Sequence, residues 1–333
     1  MRNRLHVLAA VLALALLAAC VDPSASADDI SATTVTVRPA TTRPSTTRQA
    51  RVDTTILAAV APIPVPEPAV GPIDPATYLR CTSGSGAAAV GTPVVPVGDY
   101  SNRPTLLQSA AAPTAPLLVM FHGQHGCIEN MQSRSQLDEL ATVGKVNVLW
   151  LSGAPLPKRS WNVNGRCCDP ASENRLDDLA YVDAAIAAAV ATGVEPSAVI
   201  AVGVSNGAAM AIAAACARPG LFAGAVSVGG WMPGPCAATA LSLLAVGGSA
   251  DDVVGRETPA VISEYWRTSV VACPNEPALV AANDVVTATW QGCTGGTVVR
   301  HVRLAGVGHV WPKFVSYDVD LDILSFAAGH FSG

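Results

Sequence analysis

The chain has 333 residues, of which 50% are hydrophobic and 14% charged, with a formal net charge of −5. That length fits one large domain with appendages, or at most two domains. The sparse charge, with no basic stripe, argues against a nucleic-acid partner, and beyond the N-terminus no apolar run approaches the ~20 residues that would span a bilayer.

Arg2 and Arg4 precede an apolar run over 7–19, the pattern of a signal peptide occupying 1–19. The run closes on Leu17-Ala18-Ala19-Cys20, which is similar to a bacterial lipobox. That resemblance implies cleavage before Cys20 and a diacylglyceryl group on its sulfur. The expected location is then the outer face of the cell membrane, two acyl chains being enough for stable attachment. Residues 20–74 are rich in Thr, Ser, Pro and Ala, with Pro62, Pro64, Pro66 and Pro68 in alternation. Such a segment buries too little apolar area to offset its ordering entropy, and it reads as a tether. The folded domain is expected over 75–333.

There are nine cysteines, and without Cys20 eight remain. An even number in an exported chain argues for disulfides. The adjacent Cys167 and Cys168 are expected to take different partners. Cys273 and Cys293 flank an apparent hairpin and are expected to pair. There is no Cys-x-x-Cys and the histidines are not clustered with the cysteines, so no metal site is expected, and the serine chemistry read below requires no cofactor.

Within the domain, short apolar runs alternate with helical patterns. Strands are predicted at 117–121, 146–151, 199–203, 223–228, 241–246 and 298–304. Helices are predicted near 133–143, 176–192, 206–217, 258–270 and 319–328. The region 80–112 is loop-rich, with room for one or two antiparallel strands. This alternation, with continuous apolar strands, means an α/β fold: a mostly parallel sheet with helices on both faces.

One stretch organises the chemistry. An apolar run at 198–202 leads into Gly203-Val204-Ser205-Asn206-Gly207 and then an alanine-rich helical run. Strand, Gly-x-Ser-x-Gly, helix is the context of a nucleophile elbow, with Ser205 on a tight turn and glycines where side chains would collide. A serine hydroxyl is a weak nucleophile and needs a base, which an acid must orient. Asp251, just past the strand at 241–246, is the acid, with Asp252 as the alternative. An acid at a strand end lies at the carboxyl edge, where sites of open α/β folds form. His309 follows the last strand in a glycine-rich loop and is the base, whereas His301 inside that strand reads as structural. The oxyanion hole needs two backbone donors, and the N–H groups of Asn206 and Gln124 fit. His122 shapes the Gln124 loop. His125, Trp161 and Trp311 are candidates for lining a substrate pocket.

Taken together, these residues resemble the polyhydroxybutyrate depolymerase/feruloyl esterase group of the α/β-hydrolase superfamily. The matching pieces are His122-Gly123, Trp161-Asn162 followed by Cys167-Cys168, and Asp177-Asp178-Leu179-Ala180-Tyr181-Val182. The elbow, Asp251-Asp252-Val253-Val254 and Gly308-His309-Val310-Trp311-Pro312 complete the set. The resemblance implies an α/β-hydrolase fold and a triad of Ser205, Asp251 and His309. It implies an exported serine esterase acting on short-chain, hydroxyacid or hydroxycinnamoyl esters or acetylated sugars. The chain departs from the family at Gly247-Gly248, where His-Gly is common, and at Ala208, where a further glycine is common. No stretch reads as a polymer-binding module, which favours small soluble esters. A monomer is expected. The rival expectation is a catalytically silent cell-envelope lipoprotein that uses the hydrolase shell for binding.

Overall fold

The computed structural model describes residues 89–329, without 99, 101–102, 104, 155–157, 166, 275 and 315. These residues fall within the compact unit Pro62–Gly333. The expected signal peptide, Cys20, the tether and the boundary at 75 lie outside the described residues.

Ten strands form one sheet: β1 (Thr92–Pro93), β2 (Leu106–Gln108), β3 (Leu117–Phe121), β4 (Asn147–Leu151), β5 (Val199–Val204), β6 (Gly224–Val228), β7 (Ser242–Gly248), β8 (Ala278–Ala282), β9 (Val285–Trp290) and β10 (Val299–Leu304). Their spatial order is β1-β2-β4-β3-β5-β6-β7-β10-β9-β8. The middle strands, from β4 across to β10, are all parallel. The antiparallel pair β1–β2 closes one side and the hairpin β8–β9 the other. Every residue of β3, β4, β6 and β7 is buried, as strands covered on both faces require.

The helices are α1 (Ile128–Arg134), α2 (Leu137–Thr142), α3 (Asp178–Val190), α4 (Asn206–Ala217), α5 (Thr258–Tyr265) and α6 (Val319–Ala328). They divide the core in two. Along β3, Leu117, Val119 and Phe121 join the core shared with α3 and α4, while Leu118 and Met120 join the core shared with α1, α2 and α6. That is the two-residue period of a strand feeding opposite layers.

Two expected helices change form. The run at 133–143 is two helices, because the Gln136 N–H donates to Asp320 Oδ2 (2.8 Å). The run at 258–270 ends in a π-helical turn over Trp266–Val270, where the buried Trp266 indole N–H reaches the Leu241 carbonyl (2.7 Å).

All seven described cysteines are disulfide-bonded. Cys273–Cys293 pair across the ends of the β8–β9 hairpin, as expected, and Cys216–Cys236 join α4 to the loop after β6. Cys167 and Cys168 do not take separate partners; they are bonded to each other. The other described cysteines are engaged elsewhere and leave this pair to itself.

Candidate active site

Ser205 joins β5 to α4 with φ 56° and ψ −124°. Such a backbone costs a non-glycine residue of order 1–3 kcal/mol and persists only where its neighbours fix it. Here the Ser205 N–H donates to Val228 O (2.9 Å), and the Ser205 carbonyl accepts from the N–H groups of Ala208 (3.0 Å) and Ala209 (3.2 Å). A Cβ on Gly203 would lie 2.1 Å from Gly207 O, and one on Gly207 would lie 2.3 Å from the carbonyl oxygens of both Phe121 and His122. The turn therefore closes only with glycine at both places. The Asn206 N–H belongs to the first turn of α4, whose donors have no intrahelical acceptor.

The loop after β3 passes directly beside this turn. A Cβ on Gly123 would sit 3.4 Å from Ser205 Cβ. His122 holds the loop's shape from inside. Its Nε2 accepts from the Gly153 N–H (2.8 Å), so Nδ1 carries the proton and donates to Gly123 O (2.7 Å). Burial pushes the His122 pKa down from 6.5 to about 4, with Arg159 and Arg103 acting in the same direction and the Gly123 bond opposing them.

This has a consequence for stability. Between those two values the unfolded chain binds a proton at this position that the folded chain does not. His122 therefore contributes stability above its unfolded pKa that is lost as pH falls through the window, about 3 kcal/mol in all. His122→Gln removes the titration. On acidification from about pH 7 to about pH 4, the native protein is expected to lose about 3 kcal/mol relative to this variant, read from unfolding curves at each pH.

Asp251 and His309 meet behind the elbow. Asp251 follows β7 and is buried. Its Oδ1 accepts from the N–H groups of Val253 (3.0 Å) and Val254 (3.1 Å), and its Oδ2 accepts from His309 Nδ1 (2.8 Å). In the neutral ring this leaves the lone pair on Nε2, the atom a general base uses. Asp252 is exposed. The two loops are tied backbone to backbone: Ser249 N–H to Leu304 O (2.8 Å) and Ala250 N–H to Val307 O (2.8 Å). Gly248 permits that approach, since a Cβ there would lie 2.0 Å from Val307 O. The end of β6 links this pair to the serine. Val228 O receives the Ser205 N–H, and the adjacent Gly229 lies against the imidazole, a Cβ there being 3.2 Å from both His309 Nδ1 and Cε1.

A cleft of about 330 Å³ opens at this edge, lined by Gln124, Ser205 and Asn206 and by Cys167, Cys168, Trp231, Val253 and Val254. The expected aromatic wall is placed differently. Trp161 is fully buried; its ring packs on those of Phe121 (5.2 Å between centroids) and Tyr181 (6.4 Å), and its indole N–H donates to His122 O (2.8 Å). Trp311 is buried in the other core layer, its indole N–H on Asp320 Oδ1 (3.0 Å). Asp320 also accepts from the Lys313 ammonium (3.0 Å), and burial raises its pKa to about 6. In both tryptophans the ring N–H finds its acceptor inside the fold, which draws the ring away from solvent. His125 is half-buried, its N–H on Arg159 O (2.6 Å), and lies outside the cleft lining. Among the described residues the aromatic one in the cleft lining is Trp231, missed in the sequence although Gly229-Gly230-Trp231 directly follows a predicted strand end, where site residues collect.

Comparison with known proteins agrees with this architecture. Residues 105–255 match the profile of a family described as phospholipase/carboxylesterase. Over 232 residues the chain is 27% identical to "Putative esterase NocK" of Nocardia uniformis subsp. tsuyamanensis, an alignment covering 59% of this chain and 65% of that protein. The chain thus spans slightly less than two thirds of that relative's length. Among solved structures, the acetyl xylan esterase from Aspergillus awamori superposes with a TM-score of 0.54 at 16% identity, covering 72% of this chain and 98% of that one. The Bacillus cereus carboxylesterase gives 0.46 at 16% identity, with coverages of 69% and 96%. By its strand order and by the likeness to the acetyl xylan esterase structure the chain has the α/β-hydrolase fold, and its residues 105–255 are similar to the phospholipase/carboxylesterase family.

Proposed function

We propose that this chain is a serine esterase that cleaves uncharged carboxylic esters through an acyl-enzyme. The observation that carries the reading is the Asp251–His309 hydrogen bond, set one strand end away from a Ser205 held in nucleophile-elbow geometry. In this mechanism Ser205 Oγ attacks the ester carbonyl carbon while His309 Nε2 takes the hydroxyl proton. The N–H groups of Asn206 and Gln124 receive the oxyanion, and Asp251 stabilises the imidazolium through Nδ1. His309 returns the proton to the departing alkoxide, forming the alcohol. Water then attacks the acyl-enzyme with His309 again as base, releasing the carboxylic acid and restoring the serine. The family match over 105–255 supports ester chemistry. The disulfide-bonded cysteines support an exported protein, and attachment through a lipidated Cys20 at the outer membrane face belongs to the same proposal.

A fluorophosphonate probe reacts only with an activated serine. Incubated with the full chain, it is expected to label one site that maps to Ser205 by peptide mass spectrometry. An unlabelled, folded protein would instead support the silent binding lipoprotein.

A further inference from the structure

The ester mechanism makes no use of two residues in the cleft wall. Cys167 and Cys168 are bonded to each other, and both line the cleft beside Ser205, Asn206 and Gln124. Their backbone is fixed on several sides. The Cys168 N–H donates to Trp161 O (2.9 Å), the Ser160 hydroxyl to Cys168 O (2.8 Å) and the Val163 N–H to Cys167 O (2.5 Å). Trp161 is held by the residue next to the nucleophile: Asn206 Oδ1 accepts from the Trp161 N–H (2.8 Å), and Asn206 Nδ2 donates to the Trp161 carbonyl (3.1 Å). The Gln124 side chain reaches the next residue along, its amide N–H on Asp169 O (3.0 Å). The disulfide is therefore part of one rigid frame with the nucleophile turn and the Gln124 loop, and little further ordering is needed when a ligand touches it.

A disulfide carries no charge and no hydrogen-bond donor. It offers a soft, polarisable surface suited to apolar and aromatic groups. The rest of the wall matches: Trp231, Val253 and Val254 are apolar, Val253 is left 66% exposed, and among the described residues no charged side chain lines the cleft. The volume is at the low end of the range for pockets that hold a drug-sized molecule, far more than an acetyl group fills. Resting on the serine esterase reading, we propose that the Cys167–Cys168 disulfide is a specificity surface that binds the bulky apolar substituent of the ester while Ser205 performs the chemistry.

The test compares the native chain with the Cys167→Ser/Cys168→Ser variant on methyl acetate, phenyl acetate and methyl benzoate, which place the bulky group nowhere, on the alcohol and on the acyl side. The expected result is a rise in KM for phenyl acetate or methyl benzoate that exceeds any change for methyl acetate by three- to tenfold, about the worth of a sulfur–aromatic contact. Unchanged KM for both large esters overturns the proposal, and so does an equal loss on all three, which marks a structural crosslink. Should the variant not fold, the native chain is treated with an aryl phosphonofluoridate and its structure determined. An aryl ring within about 5 Å of the Cys167 or Cys168 sulfur supports the proposal, and a ring seated elsewhere overturns it. Absence of any adduct on Ser205 overturns the esterase reading itself, which keeps the two failures apart.

Discussion

Ser205→Ala is expected to lower kcat/KM for 4-nitrophenyl acetate by about 10⁴- to 10⁶-fold while leaving the unfolding temperature nearly unchanged. The two effects separate because alanine keeps the Cβ. The turn at φ 56° stays equally strained, and its hydrogen bonds to Val228, Ala208 and Ala209 come from the backbone. What is lost is the only atom able to attack the carbonyl. The Asp251–His309 pair and the oxyanion donors remain, so a residual rate above the uncatalysed one is expected from positioning and charge stabilisation alone. Steady-state kinetics alongside a thermal melt measures both quantities. A folded variant within tenfold of the native rate would remove Ser205 from the chemistry.

Gly207→Ala should do the opposite, damaging the fold first and the rate as a consequence. The new Cβ would sit 2.3 Å from the carbonyl oxygens of Phe121 and His122. Both are backbone atoms at the end of a buried central strand, so neither can swing aside as a side chain would. Helix α4 must move away from β3, which separates the elbow from the Gln124 loop. A destabilisation of about 3 kcal/mol or more follows from overpacking of this kind. In a domain of this size that is a fall of roughly 6–12 °C in Tm. Differential scanning calorimetry reads it directly. A Tm within a degree or two of the native value would show that the helix and strand have slack the close contact denies.

The central sheet and the elbow were legible in the sequence because each rests on local patterns. The runs at 117–121 and 206–217 coincide with β3 and α4 to the residue, and 319–328 with α6, since each run is bounded by polar, proline or glycine residues. Asp251 and His309 were readable as strand-end residues, and the sheet brings those ends together. What was not readable depends on distant partners. The break between α1 and α2 is set by Asp320, 184 residues further along the chain. Trp161 and Trp311 lie near motif residues in the sequence, but closeness along the chain does not say which way a ring turns, and both turn inward. The motif at 177–182 matched the resemblance for a structural reason. Asp177 caps α3 by accepting from the Ala180 N–H (3.0 Å), Asp178 is buried against Arg103 (2.5 Å), and the Arg103 guanidinium lies 3.7 Å from the Tyr181 ring centre. Asp178 Oδ2 also accepts from the Asn162 N–H (2.5 Å), which ties this group to the segment leading to the two bonded cysteines.

Helix α4 is buried on every side from Asn206 through Ala215, and most of those residues are alanine. A helix enclosed in this way tolerates almost no increase in side-chain volume. Changes of substrate preference are therefore expected from the loop residues that line the cleft, such as Gln124, Trp231, Val253 and Val254. A larger side chain on this helix is expected to disturb the fold before it changes which substrate is taken.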